Sequence, residues 1–230
     1  MGFANLEDLL AIEKEVKWEE RELPSTLFGL LSRTATSFPN RPAVSYQILS
    51  GPKDKAETLT WSELHTKTVQ AANMFRSLGV SSEDVVAYIL PNANETVLTL
   101  LGGAIAGIAN PINPLLDPEQ IGAILRETNA KVVVTIKAFP KSDVPQKAAK
   151  AVSLAPNVTS VIEVDLNRYL TPPKSWIVPL IRPKNPVEHS AKIYDFNSLL
   201  SLQNTKLDFD DVEEDRVAAY FHTGGTTGMP

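Results

Sequence analysis

Val217-Ala218-Ala219-Tyr220-Phe221-His222-Thr223-Gly224-Gly225-Thr226-Thr227-Gly228-Met229-Pro230 is the last stretch of a 230-residue chain. Its first five residues form an apolar run that predicts a buried strand. Glycines and hydroxyls follow at once. Glycine has no Cβ to hold an anion away from the backbone N–H groups, and it reaches positive φ at little cost. Threonine hydroxyls add further donors. A strand that opens into such a loop can grip a polyphosphate. Taken alone, the same residues also read as a plain glycine-rich turn. No Gly-Lys-Ser/Thr or Gly-x-Gly-x-x-Gly spacing is present, so neither a P-loop nor a dinucleotide fingerprint applies.

Working outward, helix and strand patterns alternate. Asn5 to Trp18 predicts an amphipathic helix, and residues 1–24 read as an N-terminal helical extension. Ser25 or Thr26 caps a second helix that runs to about Ser37. Ala43–Leu49 and Thr58–Thr60 flank a turn-rich segment and predict a β-hairpin. Thr60 and Glu63 have the spacing of a capping box, opening a helix to Leu78 with Gly79 as its stop. Val85–Leu90 is continuously apolar, as strands buried on both faces are. Helices are expected over Glu95–Gly107, from Asp117-Pro118 to about Asn129, and over Gln146–Leu154. Strands are expected at Lys131–Ile136, Val158–Val164 and Val217–Phe221. This rhythm predicts an α/β fold: a doubly wound, mostly parallel sheet flanked by helices, with a small β-hairpin. Ligands of such sheets bind beyond the strand carboxyl ends, where Thr223–Gly228 lies.

Lysine and arginine total 22 against 27 acidic residues, a net charge of −5 with no basic footprint for nucleic acid. The chain has no cysteine, which excludes disulfides, thiolate metal sites and cysteine nucleophiles. There is no signal-peptide pattern, and the longest apolar stretch, Val97–Ala109, is too short to span a bilayer. A cytoplasmic protein is expected.

Three motifs stand in order along the chain: Leu59-Thr60-Trp61-Ser62-Glu63-Leu64, Leu101–Asn113 with its Asn110-Pro111 turn, and His222–Pro230. Together they resemble the core motifs of the adenylate-forming, AMP-binding superfamily, of the acyl-CoA synthetase type. That family's phosphate signature is Tyr-Thr-Ser-Gly-Thr-Thr-Gly-x-Pro-Lys-Gly. Here His222 and Gly224 replace the common Tyr and Ser, and the signature's Lys-Gly would lie beyond Pro230. The resemblance implies that the chain is the N-terminal part of the large domain of such a fold. It also implies ATP, Mg²⁺ and coenzyme A as cofactors, and a carboxylic acid, most readily a fatty acid, as substrate. Thr223, Gly224, Gly225, Thr226, Thr227 and Gly228 would bind the ATP phosphates, with His222 beside the substrate. Residues for adenine, ribose, metal and the catalytic lysine would lie beyond Pro230, so this chain alone is expected to be inactive. Two other readings stay open: an adenylation domain that loads a carrier protein, and a non-catalytic scaffold.

Residues 168–191 break the rhythm with five prolines and are expected to form an irregular insertion. Within it, Lys174, Trp176, Ile177, Val178, Leu180, Ile181, Arg182 and Lys184 mix apolar and basic character. This segment packs on itself or touches a membrane weakly through residues 174–184. His65 and His189 are read as structural or surface residues. Asp210-Asp211 with Glu213-Glu214-Asp215 is read as a solvated linker. An open sheet edge near the end of the chain makes a homodimer an expectation too.

Overall fold

The computed structural model describes residues 5–17, 20–51, 54–184 and 187–222. In chain order the elements are α1 (Leu6–Glu15), α2 (Leu27–Ser37), β1 (Pro42–Gln47), β2 (Ala56–Thr60), α3 (Trp61–Ser77), β3 (Val85–Ile89), α4 (Asn94–Ala106), β4 (Ile108–Pro111), α5 (Pro118–Glu127), β5 (Ala130–Ile136), α6 (Val144–Ser153), β6 (Ser160–Val164), α7 (Lys174–Ile177), β7 (Lys192–Asp195) and α8 (Phe196–Ser201). β1 and β2 pair antiparallel as the expected hairpin. The other five strands form a parallel sheet in the order β4-β3-β5-β6-β7.

Alternate residues of the central strands enter two separate cores. Val86, Tyr88, Val132, Val134, Ile162 and Val164 face one cluster with Phe75 of α3 and Leu98 and Ile105 of α4. Val85, Ala87, Ile89, Val133 and Val161 face the other, with Ile121, Ile124 and Leu125 of α5 and Ala148 and Val152 of α6. The apolar runs are continuous because both faces of these strands are covered.

Local signals were accurate at the helix ends. The Thr60–Glu63 box forms: the Glu63 carboxylate accepts from Thr60 N–H at 2.8 Å, and Thr60 Oγ1 accepts from Glu63 N–H at 3.3 Å. The Thr60 backbone donor also holds the Glu63 carboxyl below its usual pKa. Gly79 ends the helix region at φ +83°, where a side chain would be strained. In α5, Gln120 reaches back to accept from Asp117 N–H at 3.1 Å.

Four expectations need correction. The N-terminal helix stops at Glu15, and none of its residues is buried. Leu6 and Leu10 of its apolar stripe are exposed. The helix of the second motif ends at Gly107 as expected, but Asn110-Pro111 is not a turn: Ile108–Pro111 is the edge strand β4. The proline-rich segment is not wholly irregular: 3₁₀ turns at Leu166–Tyr169 and Val178–Leu180 flank the α7 turn, because proline fits the first turn of a helix. Finally, Val217–Phe221 is not a buried strand. It makes one parallel bridge, Ala219 to Ala109, and Val217, Tyr220 and Phe221 stay exposed. Apolar composition suits a run for burial, but a neighbour must supply the cover, and none of the described residues does. β7 and α8 carried no strong signal in the sequence.

Helices α3 and α4 cross closely at Gly102. A Cβ there would sit 2.7 Å from the Ala71 methyl and 3.0 Å from the Ala72 backbone nitrogen, and backbone cannot swing aside. We predict that Gly102→Ala lowers stability by about 1–3 kcal/mol in urea unfolding; an unchanged midpoint would mean that the helices can separate freely.

On the α6 side of the sheet, Thr135, Ala148, Val152, Glu163, His189 and Ile193 help line a cavity of about 370 Å³. Burial raises the Glu163 carboxyl pKa against the partly opposing pull of Lys137 and Arg182. A raised folded pKa means that ionising Glu163 costs stability as pH climbs above the ordinary Glu value of about 4.3. Glu163→Gln should therefore raise the melting temperature at pH 7, with the gain shrinking as pH falls toward 4. A pH-independent difference would argue against this cause.

Candidate active-site edge

The carboxyl edge of the parallel sheet gathers the polar groups that the core excludes. Asn110, in β4, is fully buried. Its Nδ2 donates to the Tyr220 carbonyl at 2.9 Å and approaches His222 Nδ1 at 3.3 Å. The carbonyl can only accept, so it fixes which way the amide faces. His222 Nδ1 then acts as acceptor, which leaves Nε2 carrying the proton in the neutral ring. Ala109 N–H donates to Ala218 O at 2.9 Å, and Tyr220 N–H donates to Ala109 O at 2.9 Å.

Arg216 anchors the start of this segment. Its guanidinium donates to the carbonyls of Gly107, Ala104 and Ile105 at 2.8, 2.7 and 3.0 Å. These are carbonyls at the C-terminus of α4, where a cation also complements the helix dipole. The second motif and the lead-in to the third are therefore one structural unit. Asn110 and Arg216 are the residues that sequence reading passed over. The Asn110-Pro111 pair was noticed only as a turn, and Arg216 was hidden behind an acidic run.

Sequence placed Thr223, Gly224, Gly225, Thr226, Thr227 and Gly228 at the site; these lie outside the described residues. His222 is described. With Tyr220 and Phe221 it borders an open depression of about 390 Å³ against Glu127 and Thr128 of α5. The position is informative. In this strand order the chain reverses direction between β3 and β5, where doubly wound sheets commonly bind ligands. His222 instead lies outside β4, with β3 and β4 between its segment and β5.

A second polar cluster occupies the edge nearer the sheet centre. Glu95, at the start of α4, is almost wholly buried. It accepts from Arg168 at 2.7 Å and from the Tyr169 hydroxyl at 2.6 Å. Arg168 also makes a two-oxygen pair with Glu57 of the hairpin, at 2.8 and 2.9 Å. Burial works against the Arg168 charge, but Glu95, Tyr169 and Glu57 together hold it above its usual pKa. Burial and Glu95 push the Tyr169 phenol well upward, so it stays a donor. The cluster clamps the hairpin, α4 and the Leu166–Tyr169 turn together. Every charge in it is engaged, which suits a structural role.

His65 matches its structural reading. Its Nε2 lies 2.9 Å from Ser32 Oγ, its ring lies 5.6 Å from that of Phe28, and burial lowers its pKa. His189 lines the cavity beside α6, remote in the sheet order from His222. The acidic residues 210–215 are exposed, and Thr26 donates to Asp211 at 2.5 Å. Among the described residues no group of three acidic or histidine side chains is placed to hold a metal ion, and no helix is long and apolar enough to cross a membrane.

The second motif contributes β4, and the segment that leads into the third is bridged to it at Ala109–Ala219. Residues 31–230 match the family model for AMP-binding enzymes, and the chain belongs to that family. It is 31% identical over 98% of its length to a marinolic acid–CoA ligase of Pseudoalteromonas sp. (strain SANK 73390), covering 31% of that protein. It is 30% identical over 92% of its length to a long-chain-fatty-acid–CoA ligase of Bacillus subtilis (strain 168), covering 36% of it. The chain thus spans about a third of the length of these relatives. The fold is shared with the anthranilate CoA ligase AuaEII in complex with anthranoyl-AMP, at TM-score 0.67 and 20% identity over 91% of this chain and 34% of that one.

Asn110→Leu keeps the bulk and deletes both donors. We predict faster hydrogen exchange at the Tyr220 amide, with the protection of β3 and β5 unchanged. Unchanged exchange at Tyr220 would show that the backbone bonds to Ala109 suffice.

Proposed function

We propose that this chain is the phosphate-gripping part of an AMP-forming acyl-CoA synthetase acting on a long apolar carboxylic acid in the cytoplasm. The observation that carries the reading is the family match over residues 31–230, which runs through all three motifs. The preference for a long acyl chain is supported by two relatives at 30% identity or above, named for marinolic acid and long-chain fatty acids.

In the proposed reaction a carboxylate oxygen attacks the α-phosphorus of ATP, and pyrophosphate leaves with the bonding electrons. The acyl-adenylate then meets the thiol of coenzyme A: the thioester forms, the acyl–phosphate bond breaks and AMP departs. Protein groups serve this chemistry by holding the polyanion and stabilising charge as it moves to the leaving group. We assign Thr223, Gly224, Gly225, Thr226, Thr227 and Gly228 to the β- and γ-phosphates through backbone N–H groups and hydroxyls. His222 would present its Nε2–H toward the reacting end of the substrate. Mg²⁺ would offset phosphate charge, and none of the described residues is assigned to it. The order of events along the chain supports this: Arg216 and Asn110 fasten the backbone just before the loop begins, so the loop starts from a held position.

The test is carboxylate-dependent ATP–pyrophosphate exchange, run on this chain and on the longest reading frame that contains it. We expect exchange with long-chain acids in the longer protein and none in this chain. Replacing Thr226 and Thr227 together by Val in the longer protein should lower exchange by about 100-fold or more. Unchanged exchange would refute the assignment of those hydroxyls. Exchange without CoA-dependent thioester would favour loading of a carrier protein. No exchange with any acid by a folded longer protein would favour a scaffold.

A further inference from the structure

The segment between β6 and β7 is built in an unusual way for a surface connection. It is firmly held at several points. Val178 is buried, Asn167 Nδ2 donates to Ser175 O at 3.0 Å, and Arg182 pairs with both oxygens of Asp165 at 2.7 and 2.8 Å. Backbone bonds from Trp176 and Ile177 N–H to Pro173 O and from Ile181 N–H to Val178 O set its turns. Yet this ordered segment points its largest apolar side chains outward. Trp176 is 70% exposed, Ile177 48%, Leu180 84% and Ile181 56%. Among the described residues no other six-residue stretch exposes four large apolar side chains.

Their spacing, i, i+1, i+4 and i+5, puts them on one side of a helical path. The charge around them is one-sided too. From Arg168 through Val187 there is no acidic residue, although the whole chain carries −5. Arg168 and Arg182 are engaged in ion pairs, whereas Lys174 and Lys184 are exposed at either end of the apolar group.

We infer that Lys174–Lys184 is a peripheral docking surface for an anionic lipid bilayer, with Trp176, Ile177, Leu180 and Ile181 entering the interfacial layer and Lys174 and Lys184 meeting acidic headgroups. Tryptophan and aliphatic side chains between lysines are the chemistry of an interfacial anchor, and each lysine adds electrostatic attraction to acidic lipid. A second copy is a poor occupant, because an isologous contact would bring equal positive charges together. The segment leaves the sheet at the carboxyl end of β6, the same edge that carries His222 beside β4. Docking therefore turns that edge toward the bilayer. The inference stands on this surface alone and does not depend on the proposed enzymatic activity.

Vesicle flotation tests it. The chain is mixed with phosphatidylcholine vesicles, with and without phosphatidylglycerol, at low and high salt. We expect flotation with the phosphatidylglycerol vesicles, weakened by salt, and a blue shift of tryptophan emission that is absent in Trp176→Phe. Trp176→Ser with Leu180→Ser should lower vesicle affinity at least about tenfold. Lys174→Glu with Lys184→Glu should remove the preference for phosphatidylglycerol. All four residues are exposed, so both variants should keep the wild-type circular dichroism. Absence of flotation, or flotation that neither variant changes, overturns the proposal. So does self-association that Trp176→Ser abolishes without any lipid effect. Flotation by this chain but not by the longest reading frame would reassign the patch to an internal interface.

Discussion

Two-sided burial of β3 and β5 is the constraint on which the rest of this structure depends. Val85–Ile89 and, apart from the part-exposed Lys131, Ala130–Ile136 are nearly inaccessible. A parallel strand without hydrogen-bonding water must have neighbours on both edges and cover on both faces. That demand places α3 and α4 on one side and α5 and α6 on the other, and it draws α3 and α4 together until only Gly102 fits between them. It also pushes every polar side chain of functional interest to the ends of the strands.

At those ends the structure distinguishes two kinds of polar group. Glu57, Glu95, Arg168 and Tyr169 satisfy one another, and such buried charges are costly to break singly because the survivor is left unpaired. They tie the hairpin to the sheet. Asn110 and Arg216 act differently: Asn110 donates to the Tyr220 carbonyl, and Arg216, on the same segment, donates to carbonyls at the end of α4. The first group stabilises the domain, and the second fastens the described segment up to His222 against α4 and β4. The three motifs read along the chain are thus unequal in kind. Leu59–Leu64 is a helix start, Leu101–Asn113 is a helix followed by an edge strand, and of the third only His222 lies among the described residues, beside that strand.

The helices, the hairpin and the central strands were legible because their signals are local. A capping box involves residues three apart, and a doubly buried strand shows itself as an unbroken apolar run. The edge elements were not legible in this way. β4 is four residues long and follows α4 at once, so its Asn110-Pro111 pair reads locally as a turn. Val217–Phe221 has the composition of a core strand but only one hydrogen-bonded neighbour among the described residues. The turns within residues 166–180 use prolines that, read singly, argue against any helix.

Of the proposed site, the residue types suited to holding phosphate could be named from sequence, since glycine and threonine carry their chemistry wherever they stand. His222 could be flagged by position alone. Its partner could not, because Asn110 is 112 residues away and nothing local marks that pairing. The sequence by itself determined the alternation of strand and helix, the caps, the absence of thiol chemistry and the family to which the motifs point. Tertiary structure alone decided the strand order, the fastening of the His222 segment to β4, and the outward face of Trp176 to Ile181. The physical reason is the same in each case: propensity and pattern act between near neighbours in the chain, whereas burial and hydrogen-bond pairing are settled by whichever distant segment arrives beside them.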